Sequence, residues 1–294
     1  MGHGLALVFV RGGHAVTITD AVPAARASVK SRIAATLAAL GDGPDALDQI
    51  AVADTLALAV QTATVVIEAA PEKLELKQGL FEELEAAALP DAILASNTSV
   101  IPIGQIAARI ETRHRVLGTH WWNPPYLVPL VEVIEAQGTA PETVAKMIAL
   151  LRALGKVPVH VKKDVAGFVG NRLQHALWRE AIALVEEGVC DAETVDLVVK
   201  NSFGRRLAVL GPLENADLVG TDLTLDIHRN VLPHINHRPG PSPYLEALVA
   251  DGSLGFKTNH GFRNWTDDQK AALRTKVLDH LTKVNRMLET PDAL

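Results

Sequence analysis

The chain has 294 residues, 48 % hydrophobic and 21 % charged, a globular composition at a length that suits two domains. Lys and Arg number 28 against 34 Asp and Glu, a formal net charge of −6, and the stretches before and after residue 164 each carry −3. That even balance excludes a dedicated nucleic-acid binder, and no apolar run reaches the length of a membrane span. The opening residues lack the pattern of a secretory leader, and Cys190, the only cysteine, cannot pair within the chain. A cytoplasmic protein with a small-molecule substrate is expected, with neither nucleic acid nor membrane as partner.

In chain order, Gly2 to Phe9 run into a helix that stops at Gly12-Gly13. Ala15 to Thr19 form a β-branched strand ending at Asp20, and Ala24 to Leu40 a helix with Pro23 suited to its first turn. After the break at Gly41-Asp42-Gly43-Pro44, Thr64 to Ile67 read as a buried strand and Leu74 to Ala88 as an amphipathic helix. Ala92 to Ala95, Val116 to Thr119 and Val157 to Val161 are further strands. Continuous apolar strands alternating with helices predict a doubly wound parallel sheet of Rossmann type, over residues 1–164. Strand signals then fade. Ala166 to Gly188 read as one long helix, and the remainder is helical and punctuated by proline, so 165–294 is expected to be an all-helical second domain.

Two groups of residues carry chemistry. Gly2, Gly4 and Asp20 look like the second half of a dinucleotide-binding fingerprint, in which glycines let the backbone approach the pyrophosphate and an acid takes the ribose hydroxyls. Asp20 would repel a 2′-phosphate, which favours NAD over NADP. The first strand and first two glycines of that fingerprint would lie before Met1, which puts the expected true start about 10–14 residues upstream. The second group is Ser96-Asn97-Thr98-Ser99, then His120-Trp121-Trp122-Asn123-Pro124-Pro125, then Leu130-Val131-Glu132, then Gly167-Phe168-Val169-Gly170-Asn171-Arg172. His120 ends a strand and can act as a general base, Glu132 can orient its ring, and Ser99 and Asn171 can hydrogen-bond a reacting oxygen. His234 and His237 share a proline-rich loop without a third ligand, so no metal site is expected.

These four motifs, in this order, resemble the L-3-hydroxyacyl-CoA dehydrogenase family, and the similarity runs from Gly2 to Gly255-Phe256-Lys257-Thr258. The resemblance implies an NAD-dependent oxidoreductase with His120 as base, Glu132 as its partner, and Ser99 and Asn171 as substrate contacts. It places cofactor contacts on Gly2, Gly4, Asp20, Glu72, Lys77, Ser99, Asn123 and Lys257. It implies a homodimer formed through the helical domain. The family's broader activity, oxidation of a 3-hydroxyacyl-CoA in fatty acid metabolism, is one expected function; dehydrogenation of a free hydroxy carboxylate such as L-gulonate, L-carnitine or a pyridine carboxylate is the alternative. The segment after Asp20 is short and lysine-poor for a CoA site, and Gly204 to Glu214 is similar to the free-acid branch, with Arg206 as a candidate partner for a substrate carboxylate. Asn259 stands where the family usually has glycine. A dinucleotide-binding protein without turnover is a third possibility. The β-hydroxyacid dehydrogenases are set aside, because the helix that should carry their lysine offers Asn171 and Arg172 instead.

Overall fold

The structure is a computed structural model and describes residues 1–288. It divides into two compact units, Met1–Arg172 together with the chain from Leu281, and Leu173–His280.

The first unit opens with helix α1 (Gly2–Arg11), apolar on nearly every side and buried accordingly. Leu5 and Val8 pack with Ile93, Ala95, Leu117 and Val131, while Ala6, Leu7 and Val10 pack with Val29, Ile33, Leu37 and Ile50. Strand β1 (Val16–Ile18), helix α2 (Pro23–Leu40), strand β2 (Ile50–Val52), helix α3 (Leu56–Val60), strand β3 (Val65–Glu68), helix α4 (Leu74–Ala87) and strand β4 (Ile93–Ser96) follow. Pro23 occupies the first turn of α2, and Gly41 ends it in the left-handed conformation that glycine adopts at no steric cost. Next come α5 (Ile103–Ile106), β5 (Val116–Trp121), β6 (Leu130–Ile134), α6 (Pro141–Ala153) and β7 (Val157–Val161).

The strands form two sheets. β1 and β2 pair in parallel as a two-stranded sheet, and β3-β4-β5-β6-β7 form a five-stranded one. β1 and β3 share no hydrogen-bonded register, and helix α1 carries apolar contacts to both sheets. β2 and β6 add to the strands legible in the sequence, β2 because three residues show no periodicity.

The strand pairs are parallel, as expected for a doubly wound sheet, except at β6, which runs antiparallel to β5, with β7 parallel to β6. The connection from Trp121 to Leu130 is too short for a parallel crossover, which needs a dozen residues or more. The chain therefore turns straight back, and His120 pairs directly with Glu132 across the ladder.

Helix α7 (Gly170–Glu186) begins four residues later than its sequence pattern suggests. Gly167 and Phe168 both take positive φ, +74° and +50°, which breaks the helix before it can start at Ala166. The second unit continues with α8 (Ala192–Asn201), α9 (Pro212–Val219), α10 (Thr221–Val231) and α11 (Pro243–Ala250) and most of α12 (Asp267–Leu288). None of α8 to α11 buries a residue. The last turns of α12 belong with the first unit, where Asn285 donates to the Leu127 carbonyl at 2.6 Å. No described helix is long and apolar enough to cross a membrane.

Candidate active site

The site is built on the directly opposed pair of β5 and β6. Opposite residues of an antiparallel pair share a face with Cβ atoms about 5 Å apart, so His120 and Glu132 meet without any loop having to place them. His120 Nδ1 and Glu132 Oε2 are 2.7 Å apart, and both side chains are buried. The other carboxylate oxygen, Oε1, accepts the backbone N–H groups of Val169 at 2.9 Å and Gly170 at 3.0 Å, at the start of α7. These are amides that a helix leaves without intrahelical partners. Burial pushes the Glu132 carboxyl up, but the bonds from His120, Gly170 and Val169 outweigh it and hold the group below the usual carboxylate range. A carboxylate only accepts, so Nδ1 carries the ring proton and Nε2 is left as the basic nitrogen.

Two aromatic rings fix the imidazole plane. Trp122 lies 5.2 Å from it and Phe168, fully buried, 5.7 Å, centroid to centroid. Gly170 makes room for the indole: a Cβ there would come 2.4 Å from Trp122 Cζ2 and 3.4 Å from Glu132 Oε2. Sequence reading missed the roles of Trp122 and Phe168. The only signal was their place inside the motifs.

The same first turn of α7 reaches Ser99. Asn171 Nδ2 donates to the Ser99 carbonyl at 2.8 Å, and Glu72 Oε1 accepts the N–H groups of Ser99 and Val100 at 3.2 and 3.3 Å. Lys77 is fully buried. Its ammonium donates to Glu68 Oε1 and Oε2 at 2.8 and 3.0 Å and to the Ala70 carbonyl at 3.2 Å, and it lies 3.7 Å from Glu72. Lys77 is thus committed to Glu68, the last residue of β3, whose only signal in the sequence is a charge at the end of an apolar run. Ser96 donates to Glu68 Oε2 at 2.6 Å, and Asn97 Oδ1 accepts the Trp121 amide at 3.1 Å, which ties the ends of β3, β4 and β5 together.

The remaining site candidates are more dispersed. Asp20 is exposed just beyond β1, its Oδ1 accepting the Val22 amide at 2.8 Å. Gly2 opens α1 with open space where a side chain would be, whereas Gly4 is a packing glycine, since a Cβ would stand 2.8 Å from Pro125 Cγ. Asn123 is exposed and precedes a cis peptide bond to Pro124. Arg206 and Lys257 belong to the second unit, both exposed and without an ion pair among the described residues. Asn259 explains the family's glycine: its φ is +65°, a conformation that asparagine tolerates better than most residues. No cluster of three or more His, Cys, Asp or Glu among the described residues could hold a metal.

The donor set fits a dinucleotide. An uncluttered helix start suits a pyrophosphate, and an exposed acid beyond the following strand suits ribose hydroxyls. Together with a carboxylate-oriented histidine at a strand end, this defines an NAD-dependent dehydrogenase. Residues 1–165 match the NAD binding domain of 3-hydroxyacyl-CoA dehydrogenase, and residues 167–265 match its C-terminal domain. The chain belongs to the 3-hydroxyacyl-CoA dehydrogenase family.

Among its relatives, 5-formyl-3-hydroxy-2-methylpyridine 4-carboxylate 5-dehydrogenase of Mesorhizobium japonicum is 37 % identical, over 98 % of this chain and 95 % of its own length. The crystal structure of an enzyme of that name, described as an NAD⁺-dependent dismutase, superposes with a TM-score of 0.91 at 35 % identity, covering 99 % of this chain and 96 % of its own. The (S)-3-hydroxybutyryl-CoA dehydrogenase of Ralstonia eutropha superposes with a TM-score of 0.75 at 31 % identity, covering 91 % and 96 %.

Proposed function

We propose that this NAD-dependent oxidoreductase dehydrogenates a small free carboxylate that bears a hydroxyl group, rather than a CoA thioester. The observation that carries the free-carboxylate reading is the near full-length likeness to the pyridine carboxylate enzyme, at a TM-score of 0.91 against 0.75 for a thioester enzyme; the formyl group in that enzyme's name presents a hydroxyl when hydrated, so the same proton removal serves either donor. Arg206 supports it, because its planar fork suits a carboxylate and no acid of the described chain neutralises it. The thioester reading remains the second one, on the strength of the family's own description.

In the reaction, His120 Nε2 takes the proton of the substrate hydroxyl while the hydrogen on carbon leaves with its electron pair. NAD, when bound, supplies the acceptor for that hydride. Glu132 holds the ring in the Nδ1–H tautomer and stabilises the imidazolium that forms. Ser99 and Asn171 steady the oxygen as alcohol becomes carbonyl. Gly2, Asp20, Glu72, Asn123 and Lys257 are the proposed contacts to the cofactor, with Lys77 acting through its neighbours.

We also infer a homodimer. The second unit leaves Val209, Leu213 and Leu218 more than 70 % exposed and has no buried residue in four consecutive helices, so a second copy is the natural cover. A cytoplasmic location rests on the sequence, with its single cysteine.

The test is a panel of a pyridine carboxylate, L-gulonate, L-carnitine and acetoacetyl-CoA, followed by NADH absorbance. Turnover of a free carboxylate is expected, with Arg206→Ala raising its KM by about 10–100-fold, the worth of a charged hydrogen bond. Turnover of acetoacetyl-CoA alone would overturn the reading.

A further inference from the structure

We propose that Thr98 and Glu72 are positioning residues that fix the Ser99 peptide, and so aim its hydroxyl at the reacting oxygen. The inference rests on the role given to Ser99 above. The Ser99 main chain is held from both sides: Asn171 bonds its carbonyl at 2.8 Å and Glu72 accepts its N–H at 3.2 Å. One oxygen of Glu72 gathers the whole loop, taking the hydroxyl of Thr98 and the amides of Ser99 and Val100. The Thr98 hydroxyl in turn accepts the Ile101 amide at 3.0 Å, so it joins the start of the loop to its end. Ser99 itself is exposed, and its hydroxyl has no partner among the described residues.

Thr98 is fully buried, with no surface open to a ligand. Any effect it has must pass through Glu72 and the loop. Glu72 cannot be replaced by its amide without conflict. Its second oxygen faces the Lys77 ammonium at 3.7 Å, so a carboxamide would turn a donor either toward that cation or toward the three donors of the loop. The buried Glu68–Lys77 pair anchors this arrangement from beneath, and the charge of Lys77 keeps the free oxygen of Glu72 on its side.

The experiment compares Thr98→Val, Thr98→Ser and Ser99→Ala in the whole chain, with Thr98→Ala in place of the valine variant if that fails to fold. Amide hydrogen exchange reads the loop directly and needs no substrate. Exchange at Ser99 and Val100 is expected to quicken about tenfold in Thr98→Val, one charge-assisted hydrogen bond's worth, and to return to the wild-type rate in Thr98→Ser. With the substrate of the panel that turns over fastest, kcat is expected to fall about tenfold in Thr98→Val, again restored by serine. Unaltered exchange in Thr98→Val, or failure of serine to rescue it, overturns the proposal. If Ser99→Ala turns over like wild type, the reading of Ser99 falls and takes the proposal with it. If Ser99→Ala is slow while Thr98→Val is not, only the proposal falls.

Discussion

Replacing Glu132 by glutamine tests the chemistry most sharply, because the side chain keeps its shape and only its bonding pattern changes. Oε2 faces His120 Nδ1 at 2.7 Å, and Oε1 faces two backbone donors at 2.9 and 3.0 Å. A carboxamide must place its NH2 at one of these ends. Turned toward Val169 and Gly170, it would strand two part-buried amides at a cost of up to about 1–3 kcal/mol each, so it turns toward the histidine. His120 must then accept at Nδ1, and its proton moves to Nε2, the atom that should act as base. Such an inverted tautomer costs a catalytic histidine about 10⁴ in rate. The lost attraction between imidazolium and carboxylate at 2.7 Å is of similar size, on the order of 6 kcal/mol at an effective dielectric of about 20. We expect kcat to drop by roughly 10³–10⁴, close to the loss for His120→Ala, with NAD affinity changed by less than about twofold. Stopped-flow NADH formation and tryptophan-fluorescence titration with NAD would measure the two quantities. A Glu132→Gln enzyme within tenfold of wild-type kcat would refute the assignment of His120 and Glu132 as base and orienting partner.

Two further substitutions probe the framework. Lys77→Met leaves the Glu68 carboxylate buried without its cation, and urea unfolding at neutral pH should show a loss of about 3–5 kcal/mol, largely recovered when Glu68 is also made apolar; a loss below about 1 kcal/mol would deny the pair its structural role. Lys156 bonds the Pro125 and Val128 carbonyls at 2.5 and 3.3 Å, and burial, reinforced by Arg11, lowers its ammonium to about 8. Between that value and the ordinary 10.5 the unfolded chain binds more protons than the native one, so stability rises with pH across this window. The Tm of wild type should therefore gain on that of Lys156→Met from pH 8 to 10.5, and a constant or shrinking difference would contradict this account.

Local physics made much of the molecule legible in the sequence. Pro23 and Gly41 bracket α2 because one presets a helical φ and the other accepts a left-handed one. The apolar strands β3, β4 and β5 announced a covered sheet, and the ordered motifs made candidates of His120, Glu132, Ser99 and Asn171, of which His120 meets Glu132 and Asn171 meets Ser99. What the sequence could not supply was direction and partnership between distant residues. That β6 returns antiparallel and sets Glu132 opposite His120 follows from a connection too short for a parallel crossover. Lys77 read as a cofactor contact, yet folding encloses it with Glu68, since a buried ammonium must find a carboxylate wherever the sheet provides one. The left-handed Phe168 looks like any helical residue in one dimension, and only the packing around His120 selects its backbone. Residue type and spacing fixed which groups can do the chemistry; long-range packing decided which of them touch, because hydrogen bonds and ion pairs are short compared with the distances that folding closes.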